Sequence, residues 1–293
     1  MKRLLPILLT LLLLTACAKD PADTRQTSAA PNTQQTATEA TAAPETSLLD
    51  NDACAVAVTN VTMDDVWGLQ VELRCENKTD VTQFYTLSSC ACQGWLLNAD
   101  FLLQLNAHET MQSKFNVFPT DLARCGITEV SACELHLLVK NFDDLGKDPF
   151  ADETVVLQTP ALSVPPVSPA PVTVQQDALP LAAEADQCAM SICGCETDTL
   201  FPYNLVVYLE NSSSRDLTFS WSEVCVNGSP VDLWFVRTVP AGLRSVIPVY
   251  FDEDAMKELN IKTFETVDLV QTVIAADTFE TVSTETVHYV NGQ

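Results

Sequence analysis

Basic residues are scarce in this chain. Fifteen Lys and Arg stand against 39 Asp and Glu, for a formal charge of -24. Three of those few cations, Lys2, Arg3 and Lys19, lie at the very N-terminus, so the remainder is strongly acidic. Phosphate binding rests on clustered Lys and Arg, which excludes nucleic acid as a partner. Glycine is also rare, at eight residues, too few for rich phosphate-cradling loops. The sequence has no Walker loop, no Gly-x-Gly-x-x-Gly, no Gly-x-Ser-x-Gly and no His-Glu-x-x-His. Only three histidines occur. His108 falls in a predicted turn, His136 on the outward side of an alternating strand, and His288 near the C-terminus, which reads as a solvated set rather than a catalytic one. No cofactor and no metal is expected. Apolar runs of membrane-spanning length are missing too: the stretch from Leu4 to Leu14 is too short for about 30 Å of hydrocarbon.

That short run is nevertheless informative. Lys2 and Arg3 precede it and Leu14-Thr15-Ala16-Cys17 close it, the order of a secretory signal. The closing four residues resemble the lipobox of bacterial lipoproteins. The resemblance implies cleavage before Cys17, a diacylglyceryl thioether on its sulfur, and a mature protein held at the extracytoplasmic face of the cell membrane. The expected signal peptide is 1–16. Residues 17–47 are rich in Thr, Ala, Gln and Pro without large hydrophobes, and read as a disordered tether. An acidic body is repelled by anionic headgroups, so the lipid must supply the anchor.

The rest of the chain is a duplication. A shift of 134 residues sets Asp52 on Asp186, Cys54 on Cys188, Glu76-Asn77 on Glu210-Asn211, Gly94 on Gly228, Phe101 on Phe235 and Ile127 on Ile261. Identity is low, but the hydrophobic pattern agrees along the whole register. Leu69, Val71, Leu73 and Cys75 alternate with polar residues, as a half-buried strand does, and Leu205, Val207 and Leu209 answer them. Strands are expected near 53–61, 68–76, 82–89, 95–105, 110–118, 129–141 and 153–159, with one short helix per copy at 119–124 and 252–259. The expected architecture is all-β: two tandem sandwiches over 48–160 and 182–293, separated by a Pro-rich spacer at 161–181.

The second copy carries Asn211, Val226-Asn227-Gly228, Val239-Pro240-Ala241-Gly242, the acidic helix from Asp252 to Leu259, and Asp277. This series resembles the immunoglobulin-like modules found in tandem in Firmicutes lipoproteins. The first copy departs from it, with Gln93 for Asn and Asn106-Ala107-His108 for Pro-Ala-Gly. The resemblance implies fold and cellular setting and carries no catalytic residue.

Beyond Cys17 the cysteines are Cys54, Cys75, Cys90, Cys92, Cys125 and Cys133 in the first copy and Cys188, Cys193, Cys195 and Cys225 in the second. An exported protein permits disulfides. The expected strand directions bring Cys54 to Cys75 at one end of a sandwich and Cys90 and Cys92 to Cys125 and Cys133 at the other, with Cys225 near Cys193 or Cys195. A four-thiolate zinc site at Cys90, Cys92, Cys125 and Cys133, and buried free thiols, are the competing readings.

Acidic clusters at Asp143-Asp144, Asp148 and Asp152-Glu153 and at Asp252-Glu253-Asp254 lack EF-hand spacing and read as solvated loops. Trp67, Trp95, Trp221 and Trp234 fall in or beside strands, where core packing is the default. Trp95, next to the Gly94 turn, is the candidate for exposure and ligand contact. The expected function is non-enzymatic adhesion, binding or scaffolding toward a protein or glycan in the cell envelope. A ligand-binding accessory for carbohydrate, peptide or Ca²⁺ is the alternative, and a hydrolase with a scattered carboxylate pair is third.

Overall fold

The structure is a computed structural model that describes residues 45–168, 170–174, 183–185, 187–197 and 201–292. The expected signal peptide, Cys17 and nearly all of the tether lie outside the described residues. In the first half of the chain the strands are β1 (Thr46–Asp50), β2 (Cys54–Asp64), β3 (Gly68–Asn77), β4 (Gln83–Cys92), β5 (Trp95–Leu97), β6 (Leu102–Leu105), β7 (Thr110–Val117), β8 (Glu129–Asn141) and β9 (Ala151–Ser163). A short helix, α1 (Pro119–Arg124), precedes β8. The second half holds β10 (Ala183–Ala185), β11 (Cys188–Glu196), β12 (Asn204–Asn211), β13 (Leu217–Val226), β14 (Ser229–Pro230), β15 (Val236–Val239), β16 (Arg244–Tyr250), α2 (Glu253–Glu258), β17 (Thr266–Ala275) and β18 (Thr281–Val290). The fold is all-β, as expected, and both helices fall where the sequence places them.

Three sheets are formed. Their orders are β1-β2-β3-β7, then β10-β11-β12-β16-β5-β4-β8-β9 with β6 also on β4, then β14-β13-β17-β18 with β15 also on β13. Advancing each strand of the first half by nine places reproduces the pairings of the second. β1-β2-β3-β7 becomes β10-β11-β12-β16, and β5-β4-β8-β9 becomes β14-β13-β17-β18. Among the described residues, one pairing has no counterpart: β16 joins β5 in parallel, Arg244 opposite Trp95 and Ser245 opposite Leu96. Through it a nine-stranded sheet runs across both halves, and residues 43–293 form one compact unit.

Alternation explains most of the core. Leu69, Val71, Leu73 and Cys75 on β3 are fully buried, while Gln70, Glu72 and Arg74 face outward. β12 differs, because Leu205, Val206, Val207, Tyr208 and Leu209 are all buried. Leu205, Val207 and Leu209 belong to the core of the second half, but Val206 and Tyr208 pack with that of the first. A strand covered on both faces reads as a continuous apolar run. Each fully buried aliphatic side chain there contributes about 1.5–3 kcal/mol.

A buried asparagine pins each half in the same way. The Asn77 side-chain amide donates to Val81 O at 2.7 Å and Asn106 O at 2.9 Å, and its Oδ1 accepts from the Thr79 N–H and hydroxyl. Asn211 donates to Arg215 O and Val239 O, both at 2.8 Å, and accepts from the Ser213 N–H and hydroxyl. Both residues are fully buried, so their own amide groups must find partners within the protein, and these turns supply them. Gly68 opens β3 under the helix: its φ is +70°, and a Cβ there would lie 2.1 Å from Val117 O.

The described part of the Pro-rich segment packs against both halves, which also pair directly through β5 and β16. β9 continues to Ser163, and beyond it Val164 N–H bonds to Thr128 O and Val174 N–H to Arg124 O. Val172 N–H donates to Glu196 Oε1 at 2.8 Å. Val172 and Val174 pack into the core of the first half, which accounts for their docking.

Beside this segment lies a buried ion cluster. Arg124 contacts Asp121 at 2.8 Å within α1 and reaches across to Glu196 of β11 at 2.6 Å. Burial opposes the Arg124 charge, but Glu196 and Asp121 together hold its pKa above the ordinary value. Burial pushes the Asp121 carboxyl upward, with Arg124 and Asn98 pulling it back. Replacing Arg124 by Met strands two buried carboxylates, so Arg124→Met should lower unfolding free energy by about 3–5 kcal/mol. Urea denaturation measures this, and an unchanged midpoint would mean that water already solvates the cluster. Asn211→Ala leaves two carbonyls and two donors unsatisfied and should cost about 2–4 kcal/mol in the same assay.

Candidate functional site

β13 begins as a regular core strand, with Leu217, Phe219 and Trp221 buried in alternation. The register then breaks. Ser222 faces Val270 and Cys225 faces Asp268, so Glu223 and Val224 together oppose Leu269. This is a bulge of one extra residue, and Glu223 sits in the left-handed region at φ +54°. Such backbone strain concentrates at functional positions. After the bulge, Asn227 and Gly228 turn with positive φ at both positions, +50° and +78°, the geometry that Asn-Gly hairpins favour. The chain returns as β14, and Asp232 and Leu233 follow.

Between bulge and return strand lies an open cleft of about 500 Å³. Trp221, Val224, Val231 and Leu233 supply its apolar lining, and Glu223 and Asp232 its charge. No cationic side chain lines it. Trp221 stacks on Phe235 with ring centroids 4.4 Å apart, and its buried indole N–H has no hydrogen-bond partner. The next residue along the chain, Trp234, is 89% exposed, the highest value among the large hydrophobic side chains described.

The first half has the same cleft in the same place. It is lined by Leu87, Ser88, Ser89, Cys90 and Leu96 to Asp100, the residues 134 positions before Trp221 to Val224 and Pro230 to Trp234, and measures only about 150 Å³. Arg237 and Thr238 of β15, from the second half, enter it. Burial lowers the Arg237 pKa, and the carboxylates of Asp121 and Asp100 partly restore it. Its Nε has no hydrogen-bond partner. One cleft is therefore narrowed by side chains of the other half, and its counterpart is wider.

The residue expected to contact ligand is not at the surface. Trp95 is 5% exposed, because its short strand is covered by β16. The Arg244 guanidinium lies 4.2 Å from its ring centroid, and Tyr208 meets it edge-on at 6.0 Å. Trp95 seals the junction between the halves. Trp67 is half exposed and packs against Phe118 at 6.1 Å. At the matching place in the second half Phe201 lies 4.5 Å from Tyr250.

The cysteine expectation needs a comparable correction. Cys54, Cys75, Cys90, Cys92, Cys125, Cys133, Cys193, Cys195 and Cys225 are not joined in disulfides. Their neighbourhoods partly match the expectation. Cys133 shares hydrogen bonds with Cys90 and Cys92, and Cys54 and Cys75 lie close enough to influence each other. The strand register explains why Cys54 and Cys75 are not bonded: β2 sets Val56, not Cys54, opposite Cys75. Cys195 hydrogen-bonds to Tyr289 and Cys193 contacts Ser191 O, so neither joins Cys225. The six thiols of the first half are buried and pack as small hydrophobes. Among the described residues no group of three or more His, Cys, Asp or Glu is arranged to hold a metal ion.

The histidines and acidic clusters act locally. His108 meets Asp80 at 2.8 Å, His136 meets Asp152 at 2.6 Å and His288 meets Asp268 at 2.5 Å, all at the surface. Asp252 caps α2 by accepting the Ala255 N–H at 2.8 Å, and Lys257 pairs with Glu253. The cleft residues Glu223 and Asp232 escape a sequence reading because they flank the Asn227-Gly228 turn without forming a motif of their own. One signal was present: a glutamate interrupts the apolar alternation Leu217-Phe219-Trp221, where the first copy has Ser89.

No protein-family model matches the chain, and no curated protein does. Among solved structures, the chain is similar to a Salmonella enterica SafA pilin in complex with the SafB chaperone, at 14% identity over 83% of this chain and 98% of that one, with a TM-score of 0.23. It is also similar to a Porphyromonas gingivalis protein of unknown function, at 14% identity over 80% of this chain and 99% of that one, with a TM-score of 0.21. A red sea bream transglutaminase matches at 10% identity over 81% of this chain but 31% of its own length, with a TM-score of 0.23. Scores this low attach no property of those proteins to this chain.

The buried thiols carry a pH signature. Burial raises Cys54 and Cys193 from 9.0 to about 11, and Cys75 and Cys125 to about 12. The unfolded chain releases these protons near pH 9 while the folded chain keeps them. Their contribution to stability is therefore complete below about pH 9 and lost as pH rises through 11 to 12. The urea midpoint should hold level to pH 9 and then fall. A level midpoint to pH 11 would contradict the burial.

Proposed function

We propose that this chain is a non-enzymatic, lipid-anchored binding protein of the bacterial cell envelope. Two tandem immunoglobulin-like modules are held at the extracytoplasmic face by the acylated sulfur of Cys17. The single observation that carries the binding reading is the open cleft beside β13, with the exposed Trp234 next along the chain to its lining residue Leu233, where the counterpart in the first half is narrowed by Arg237 and Thr238. An unpartnered large aromatic beside a concave, mixed apolar and charged surface suits recognition. The repeated strand order supports the tandem-module reading. The lipobox residues support the anchor, and no helix among the described residues is long and apolar enough to cross a membrane. The shared sheet makes the two modules one stiff body, suited to presenting a site away from the bilayer.

Two measurements test this. In detergent phase separation the wild-type protein should enter the detergent phase and Cys17→Ala the aqueous phase; a water-soluble wild type would remove the anchor. Against envelope extracts, wild-type protein should retain a component that Trp234→Ala releases, and equal retention would remove the site. A second reading, glycan binding, is favoured by the paired surface aromatics Trp67–Phe118 and Phe201–Tyr250, which recur in both halves. Loss of glycan-array signal in Trp67→Ala and Phe201→Ala, but not in Trp234→Ala, would select it.

A further inference from the structure

We propose that the open cleft of the second half receives one basic side chain, an arginine or lysine carried on an extended segment of a partner protein. This rests on the binding reading above and specifies its ligand. The argument is an internal precedent. The cleft of the first half is already met by a basic side chain: Arg237, carried by strand β15 with Thr238 beside it, forms part of its wall. Arg237 faces the carboxylates of Asp100 and Asp121. The copied cleft keeps the same walls, the β13 bulge and the β14 return, and keeps a negative lining through Glu223 and Asp232. It is larger, about 500 Å³ against about 150 Å³, and nothing among the described residues fills it.

Three changes between the copies suit a cation from outside. Trp234 stands where the first cleft has Asp100, and its exposed ring can cover a guanidinium or ammonium group. Trp221 stands where the first has Leu87, adding a second aromatic and a buried, unpartnered N–H for a backbone carbonyl of the incoming segment. Pro230 stands where the first has Leu96, so β14 offers no amide at that position. Recognition therefore falls on the side chain more than on strand addition. The charge of -24 also draws cationic partners at long range.

A second copy of this chain does not fit. Arg237 is already committed to its own first cleft. The segment of the first half that matches β15 is β6, which carries Leu103 in place of the arginine and has no basic residue. Head-to-tail polymerisation through this geometry lacks its cation.

The test uses the full-length, detergent-solubilised protein and acetylated, amidated Thr/Val peptides with one central residue: Arg, Lys, citrulline or Leu. Binding is followed by tryptophan fluorescence and calorimetry, with arginine amide as the free-ligand arm. Arg and Lys peptides should bind at least about ten-fold more tightly than the citrulline and Leu peptides, and weaken as salt rises. Glu223→Gln and Asp232→Asn should each lower Arg-peptide affinity about five-fold or more, and Trp234→Ala more still. Both carboxylate variants keep their shape at the surface, and an unchanged urea midpoint confirms that they fold. Equal binding of all four peptides, or affinity untouched by both carboxylate variants, would overturn the proposal. Arginine amide binding as tightly as the peptide would overturn the peptide source. If no peptide binds while Trp234→Ala still loses its envelope component, this inference fails and the binding reading stands. If neither effect is seen, both fail.

Discussion

The parallel contact between β5 and β16 decides the rest of the structure. It is short, Trp95 and Leu96 against Arg244 and Ser245, yet it turns two sets of strands into one nine-stranded sheet. Two paired residues supply little hydrogen bonding by themselves. What holds the contact is its lining: the Arg244 guanidinium over Trp95, Tyr208 against the same ring, and Val206 and Tyr208 drawn into the core of the first half. Because β12 is buried on both faces, separating the halves would expose an apolar strand face to water. The halves are therefore fixed relative to one another by hydrophobic burial, with the pairing setting the register.

The polar groups at this junction specify more than they stabilise. Arg124, Asp121 and Glu196 are nearly dry, and desolvating three charges consumes most of what their attraction returns. Their geometry is demanding, since Glu196 must meet Arg124 and also accept the Val172 N–H. Such a cluster tolerates one arrangement of α1, β11 and the Pro-rich segment and rejects others. Asn77 and Asn211 act similarly at shorter range, each tying one turn to the end of a neighbouring strand.

The two halves repeat one strand order but differ in their clefts. The docking that places β16 on β5 also brings β15 beside the first cleft, where Arg237 and Thr238 form part of its wall. No side chain of the first half lines the second cleft among the described residues. Its residues have changed accordingly: Ser229 and Pro230 replace the Trp95 and Leu96 that make the junction, and Trp234 replaces Asp100. The cysteines show the same divergence, with Leu209 standing for Cys75 and Val267 for Cys133, which fits thiols serving as small core hydrophobes.

Alternation, turn residues and the 134-residue register sufficed to read the all-β class, most strand positions, both helices and the likeness of the halves. Those properties are local: side-chain period, positive-φ turns and helix-opening residues act within a few positions of chain. Even the gathering of Cys90, Cys92 and Cys133 followed from strand direction. The free state of those thiols did not, because pairing depends on register across strands. Trp95 was misplaced because its exposure depends on β16, well over a hundred residues away. The unbroken apolar run from Leu205 to Leu209 was the one hint that a second layer covers that strand. Which cleft is narrowed and which stays wide was decided by the tertiary structure, since Arg237 and Thr238 reach the first cleft only because β16 docks on β5.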